Sequence, residues 1–434
     1  MTLITIQEQS RAGERFTVSV SFDRQGGDAA TVAPPFDPER EQQLEWYFEE
    51  HLQFPFTDHV KARDAAASIT DYGETLFEQV FADPETRAEY IQARQQGVNQ
   101  IQFEIVGTPE LHRLHWEALK DPKQPRAFAL DGVMIRKHAH PQPVKARVQS
   151  GPTINLLIVV ARPSGAHDVG YRTISRPLVE ELRQAGIPVQ IDIVRPGSYE
   201  ALDKHLQQTT AAHGVGYYHV IHFDVHGALL RYDQVQQGIA ANRFVYGSRY
   251  GRNDIQLYEG FKAFLFMEGD EQPSDPVEAA ELAQLLTTHH IPIAVLNACQ
   301  SGKQVGAAET SLGSQLMQAG VQLVVAMGYS VTVSAAEIMM RELYQQLFNR
   351  ADLATALRLA RRALFNRKSR RAYFNQTIEL EDWLLPVVYQ NQPIQLTPRP
   401  MTTEEAQQFY GQQAQRFPFP EPSYGFWGGD LDVL

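Results

Sequence analysis

The chain contains a single cysteine, Cys299, which directly follows an apolar run, Ile291–Ala298, typical of a buried strand. A histidine, His226, follows a second such run, Tyr217–Val225. Reactive groups in open α/β sheets collect beyond the carboxyl ends of the strands, and neighbouring strands lie only about 5 Å apart. A thiol becomes a strong nucleophile when a nearby imidazole accepts its proton, which the imidazole later donates to a leaving amine. If the two strands are neighbours, the sequence therefore predicts a nucleophilic Cys–His pair.

Glycines follow both candidate residues. Gly227 lets the backbone approach a substrate, and Gly302 permits a tight turn after Cys299. The backbone N–H groups of Gly227 and Cys299 are then candidates for stabilising an oxyanion. The alternative is structural, because a lone cysteine at a strand end is often a small buried apolar side chain and a His–Gly pair often marks a turn. The residues alone leave both interpretations open.

Other kinds of site have weaker support in the sequence. Histidines four residues apart in a strand, such as His222 and His226, are separated by about 13 Å, which is too far for two ligands of one metal ion. His219 falls on the opposite face of the same strand. No Gly-rich phosphate loop with a lysine is present, and the segment 161–165 does not resemble a dinucleotide fingerprint. We therefore predict no metal and no cofactor.

Composition limits the class of protein. The chain has 434 residues, 43% of them hydrophobic, which is enough for two or three folded domains. A net charge of -12 argues against non-specific nucleic-acid binding. No apolar run approaches the roughly 20 residues that a membrane helix needs, and no secretory signal is evident. With one cysteine and no disulfide framework, the expectation is a cytoplasmic protein that binds neither nucleic acid nor membrane.

The chain divides into three parts by pattern. Residues 1–150 predict a small α+β domain with strands at Leu3–Ile6, Phe16–Phe22 and Ile101–Val106, helices near 40–53, 60–81 and 85–96, a Pro/Gly-rich stretch from Gly26 to Pro38 and a basic linker at His138–Gln149. Residues 151–395 alternate apolar strands with helices, which predicts a doubly wound, mostly parallel sheet covered by helices on both faces. Residues 396–434 predict a linker or tail.

Residues 151–392 resemble the CHAT family of caspase-like cysteine peptidases, relatives of caspases and separases. The resemblance is carried by several segments that stand in the family's order and spacing: Tyr171–Pro177, His219–Gly227, Leu296–Gly302, Ser311–Gly313 with Met327–Val331, and Trp383–Pro386. The segment Leu114–Glu117 is similar to what precedes the peptidase domain in many such proteins. The resemblance implies a caspase-like α/β sheet with Cys299 as nucleophile, His226 as base, and Gly227 and the Cys299 N–H as oxyanion donors. The implied reaction is hydrolysis of a protein substrate through an acyl-enzyme, without a cofactor.

One position departs from the metacaspase-type relatives, which carry an acidic residue two before the cysteine that helps to bind a basic substrate side chain. This chain has Asn297 there, so a preference for cleavage after Arg or Lys is in question. Asp224, on the same strand face as His226, is a candidate for supplying that charge, and a structural role for Asp224 is an equal alternative. Tyr329 and Ser330, which follow the next strand, are candidates for lining the substrate pocket.

The tail carries a second resemblance. Ser423–Leu431 is similar to the opening of a signalling ATPase module of the STAND type, although Gly429 replaces the expected arginine. This resemblance implies a bacterial signalling or defence peptidase that a partner or an attached sensor module activates. Two alternatives to a peptidase stay open: an inactive CHAT-fold scaffold for protein–protein interaction, and a small-ligand receptor that uses the same sheet edge.

Overall fold

The computed structural model describes residues 1–140, 149–163, 188–244, 255–269, 274–298, 307–318, 320–329, 331–372, 376–394 and 396–416. Within these ranges, thirteen strands form one large mixed sheet and two more form a small hairpin. The strands are β1 (Thr2–Ala12), β2 (Arg15–Phe22), β3 (Gln25–Val32), β4 (Ile101–Gly107), β5 (Val133–His138), β6 (Ile154–Val160), β7 (Val189–Val194), β8 (Val220–Leu230), β9 (Lys262–Met267), β10 (Asp275–Glu278), β11 (Ile293–Ala298), β12 (Leu323–Met327), β13 (Ser369–Arg371), β14 (Thr377–Glu379) and β15 (Pro386–Gln390).

The helices surround the sheet. They are α1 (Pro38–Glu49), α2 (His59–Val80), α3 (Pro84–Arg94), α4 (Pro109–His112), α5 (Phe128–Asp131), α6 (Tyr199–His213), α7 (Tyr232–Ala240), α8 (Ala279–Thr288), α9 (Ala307–Gln318), α10 (Val333–Phe348), α11 (Leu353–Asn366) and α12 (Thr403–Arg416). Several begin at a side chain that accepts a backbone N–H, as Ser198 does for α6, Thr332 for α10 and Asp352 for α11. These caps explain where the helices begin.

Helices cover both faces of the centre of the sheet, as the sequence predicts. Every residue of β6 is buried, which is the pattern of a strand covered on both sides. Alternate residues of β6 belong to two hydrophobic clusters: Leu156 and Ile158 join one with α10 and α11, and Leu157 and Val159 join the other with α6 and α8. The α/β fold class predicted from the sequence is thereby confirmed.

The sheet continues without a break through residue 150, the predicted boundary between the first two parts. Its strand order is β10-β9-β8-β11-β12-β15-β5-β4-β1-β2-β3, and off this path β6 pairs with β8 and β7 pairs with β6. The junction is a parallel pair between β15 and β5, in which Tyr389 lies opposite Arg136. The N-terminal strands therefore extend the same sheet that carries the candidate residues, a continuity that spacing along the chain did not indicate.

Some predicted loops contain regular structure. Much of the Pro/Gly-rich stretch is strand β3, which pairs with β2 because Gln25–Val32 forms the return arm of a hairpin. The strand β5 precedes the predicted linker and was not anticipated. The predicted tail contains helix α12. The segments Tyr171–Pro177 and Ser423–Leu431, which carry part of the two resemblances, lie outside the described residues.

Candidate functional site

The two strands that carry the candidate pair are neighbours. Strand β8 pairs in parallel with β11, and their register sets Asn297 opposite Asp224 and Ala298 opposite Val225. His226 follows Val225 and Cys299 follows Ala298 in the sequence, so both candidates come next after the last paired position of the two strands. Cys299 itself lies outside the described residues, as does Ser330. The adjacency on which the sequence prediction depended is present.

The predicted end of β8 was wrong. The sequence analysis ended this strand at Val225 and treated His226 and Gly227 as following it, but β8 continues to Leu230. The continuation pairs antiparallel with β9, so that His226 lies opposite Phe266 and Gly227 opposite Leu265. The partner strand β9 was not predicted from the sequence. His226 is half-buried and Gly227 is buried within this continued strand.

Asp224 lies beneath this point, and its carboxylate is engaged by an arginine. Arg162 Nη2 donates to Asp224 Oδ2 at 2.5 Å, and Arg162 Nη1 donates to the backbone oxygens of Asp224 and Ala161, each at 2.8 Å. Both side chains are buried. Desolvation raises the pKa of Asp224, and Arg162, Asn297 and His226 oppose this rise to smaller extents. The charge on this carboxylate is therefore compensated inside the fold.

Asn297 joins the same network with one atom unused. Its Nδ2 group donates to Asp224 Oδ1 over a long 3.4 Å, whereas its Oδ1 atom is buried and has no hydrogen-bond partner among the described residues. The side chain is only 1% exposed. Buried polar atoms are nearly always paired, so this oxygen is a local exception beside the candidate pair.

His222 lies two residues before Asp224 on the same face of β8. Its Nδ1 atom lies 2.7 Å from the hydroxyl of Tyr344 in α10, and its Nε2 atom has no partner within the described ranges. Complete burial lowers the pKa of His222 to about 3, so the ring stays neutral. Two buried polar atoms without partners among the described residues thus lie below His226, His222 Nε2 on β8 and Asn297 Oδ1 on the neighbouring β11.

Tyr329 lies directly beyond β12, where the sequence placed it, and contacts the N-terminal part of the chain. Its ring stacks on Phe48 of α1 at 5.1 Å and lies 5.8 Å from the ring of His115. It lines a cavity together with residues of the first 140 positions. The prediction that Tyr329 and Ser330 line a substrate pocket stays a prediction.

The sequence analysis missed Arg162. The signal in the sequence was a charged residue two positions after β6, a strand in which every residue except Asn155 is apolar. Strand β6 pairs with β8 up to Val160 opposite Asp224, which brings Arg162 to the same sheet edge. A charged residue at the carboxyl end of a buried strand is a candidate site residue for the same reason that His226 is.

The comparison with protein families identifies the chain. The sequence model of the CHAT domain matches residues 70–408, which is most of the chain. The chain belongs to the CHAT domain family. The match begins within the N-terminal part and crosses the predicted boundary at residue 150, in agreement with the continuous sheet. Among curated proteins, no match was found.

Solved structures similar to this CHAT-domain chain include a separase and two caspases. The separase of Saccharomyces cerevisiae, in its securin complex, is 11% identical with a TM-score of 0.44 and covers 91% of this chain. This chain spans only 30% of that separase. Caspase-1 of Spodoptera frugiperda is 13% identical with a TM-score of 0.34, covering 61% of this chain and 98% of its own. The Drosophila initiator caspase Dronc is 10% identical with a TM-score of 0.28, covering 59% and 89%.

The described part of the CHAT-domain chain holds no group of three or more side chains arranged to bind a metal ion. Among the same residues, no helix has the length and apolar character needed to cross a membrane.

Proposed function

We propose that this CHAT-domain chain is a cysteine endopeptidase with Cys299 as nucleophile and His226 as general base and acid. The observation that carries the proposal is the parallel pairing of β8 and β11 through Val225 and Ala298, the residues just before the candidate pair. Membership in the CHAT family supports the same assignment. A soluble protein substrate and the absence of a cofactor are part of the proposal.

The proposed reaction proceeds in two steps. His226 accepts the thiol proton of Cys299, and the thiolate sulfur forms a bond to the carbonyl carbon of the substrate. The N–H groups of Gly227 and Cys299 stabilise the oxyanion, and the amide C–N bond breaks as His226 protonates the departing amine. Water, deprotonated by His226, then attacks the acyl carbon. The C–S bond breaks, the carboxylic acid is released, and the proton on His226 returns to the Cys299 sulfur.

We infer that Asn297, rather than Asp224, contacts the substrate through a side-chain oxygen. Asn297 Oδ1 is free to accept a hydrogen bond, whereas the Asp224 carboxylate is held by Arg162 and by Asn297 itself. Asp224 then acts as a positioning residue below the reacting groups. Activation by a partner or by a downstream sensor module belongs to the same proposal and rests on the tail resemblance.

Cleavage of a peptide library derived from a proteome digest tests the proposal. Wild type is expected to generate new N-termini, and Cys299→Ala and His226→Ala are expected to generate none. His59→Ala, which changes an exposed histidine in α2, is the matched control and retains cleavage. Equal cleavage by wild type and Cys299→Ala contradicts the proposal, as does the absence of cleavage by wild type.

A further inference from the structure

A cavity lies between the N-terminal part of the chain and the end of β12. Its volume is about 340 Å³, within the range of small-ligand pockets. Phe36 and the start of α1 form one wall, the segment Leu114–His115 a second, and Gly328–Tyr329 with Leu384–Leu385 a third. The cavity thus joins the two parts of the continuous sheet.

The lining of this cavity carries an excess of negative charge. Five glutamates and three arginines contribute to it. Among the paired carboxylates, Glu110 lies 3.3 Å from Arg11, Glu117 pairs with Arg136, and Glu41 lies 3.1 Å from His115. The charge that remains is negative.

Glu45 is a half-buried carboxylate in this lining whose negative charge is not paired with a cationic side chain among the described residues. It is half-buried on α1 and has no hydrogen bond or ion pair to any described residue. Desolvation raises the pKa of Glu45, and Glu50 and Glu41 raise it further. Arg113, the lining arginine without an ion pair within the described ranges, is exposed at the rim.

A second and independent feature is the hydroxyl group of Tyr329. The residue is 7% exposed and lines the cavity, and its ring packs against Phe48 and His115. The hydroxyl has no hydrogen-bond partner among the described residues. A ligand in the cavity can therefore form a hydrogen bond with this hydroxyl group.

We propose that this cavity binds an alkyl cation, either the side chain of a lysine or arginine in a peptide or a free alkylamine or alkylguanidine. The cationic group pairs with Glu45 and donates a hydrogen bond to the Tyr329 hydroxyl oxygen. The alkyl portion lies against Phe36, Leu114 and Leu384, which supply an apolar wall. An anionic ligand is disfavoured by the excess of carboxylates.

The proposed cation site lies one strand away from β11, which ends at Ala298, the residue before Cys299 in the sequence. Strands β11 and β12 are parallel neighbours, and Tyr329 follows β12 by two residues. A ligand in the cavity contacts Gly328 and Tyr329, which follow β12 at the sheet edge where β11 also ends. Binding does not require Cys299 or His226, so this proposal stands or falls separately from the proposed peptidase activity.

Isothermal titration calorimetry with two probes tests the proposal. The first probe is agmatine, and the second is the peptide acetyl-Gly-Arg-Gly-amide, whose neutral counterpart carries citrulline in place of arginine. We expect at least one cationic probe to bind and the citrulline peptide to bind at least about tenfold more weakly, because a charge-assisted hydrogen bond is lost. Binding of agmatine alone indicates a free amine or guanidine, and binding of both indicates a peptide side chain as well.

Variants of α1 and of Tyr329 locate the binding. Glu45→Gln is expected to weaken binding about tenfold or more, and Tyr329→Phe by a few-fold. Glu39→Gln removes the same charge from an exposed position on α1 outside the cavity and is expected to leave affinity unchanged. Binding of neither cationic probe, or equal affinities in Glu45→Gln and Glu39→Gln, overturns the proposal.

Discussion

Two buried arginine–aspartate pairs lie in different regions of the molecule and are bonded differently. Arg370 of β13 makes two hydrogen bonds to Asp382, at 2.5 and 2.6 Å, and its remaining N–H groups donate to the backbone oxygens of Arg367, Ser369 and Leu364. At the sheet edge, Arg162 donates to one oxygen of Asp224, and the other oxygen takes only the long bond from Asn297.

The difference separates a structural pair from one at a candidate site. Both carboxylate oxygens of Asp382 are bonded to Arg370, so the pair presents no free acceptor. Around Asp224, by contrast, Asn297 Oδ1 and His222 Nε2 are buried without partners among the described residues. Incomplete hydrogen bonding costs stability, and proteins retain it where a ligand or a reaction step makes use of the open atoms.

The largest expected effect is the loss of folding stability at acid pH that the buried His222 causes. Burial lowers its folded-state pKa to about 3, below the ordinary value of about 6.5, so the unfolded chain binds the extra proton first. Stability from the neutral ring is therefore complete above pH 6.5 and is lost as pH falls towards 3, by about 4 to 5 kcal/mol in total. We expect His222→Leu to lose less stability than wild type between pH 7 and 4 in urea titrations, while other buried histidines such as His112 still contribute an acid-dependent loss. Parallel curves for the two proteins contradict the assignment.

The next largest effect is expected from breaking the Arg370–Asp382 pair, in which both carboxylate oxygens are hydrogen-bonded to the arginine. We expect Arg370→Met to lower the free energy of unfolding by about 3 to 5 kcal/mol, because it leaves the Asp382 carboxylate buried without its partner. The double variant Arg370→Met with Asp382→Leu is expected to recover part of that loss, since no uncompensated charge remains. Urea unfolding at pH 7 measures both. A loss below about 1 kcal/mol for the single variant is incompatible with a structural role.

Breaking the Arg162–Asp224 pair is expected to cost less stability. Arg162→Met is predicted to lower the free energy of unfolding by about 1 to 3 kcal/mol, because Asp224 retains its hydrogen bond from Asn297. The same urea titration measures this change. If Arg162→Met costs as much as Arg370→Met, the two pairs serve the same structural purpose and the distinction fails.

The smallest effect is expected at Asn297. Replacing it with the similarly sized leucine removes an oxygen that already lacks a partner and a donor that makes only a 3.4 Å bond. We expect Asn297→Leu to change the free energy of unfolding by less than about 1 kcal/mol while it lowers peptide cleavage. A loss of several kcal/mol with cleavage retained would assign Asn297 to the core rather than to the site.

Local pattern was sufficient for the fold class and for the neighbouring strands of the site. The apolar runs that precede His226 and Cys299 predicted parallel strands, and β8 and β11 are indeed paired. The continuation of β8 to Leu230 was missed because it depends on pairing with β9, a strand that the sequence did not predict. Strand ends set by a distant partner are not visible in local spacing.

Contacts between distant segments were also missed. The pairing of β15 with β5 joins segments about 250 residues apart in the sequence. The spacing of apolar residues within either segment does not indicate which distant strand it pairs with. Arg162 was overlooked for a related reason, because its role depends on β6 lying beside β8. The cavity at Tyr329 likewise exists only because α1 folds against the end of β12.

The rate at which iodoacetamide alkylates Cys299, measured against pH in wild type, His226→Ala and His59→Ala, tests the central claim most directly. The thiol is the only one in the chain, so the readout needs no substrate. We expect wild type and His59→Ala to react well below the ordinary thiol pKa of about 8.5, and His226→Ala to lose this reactivity. Identical profiles in wild type and His226→Ala would contradict an assembled Cys299–His226 pair.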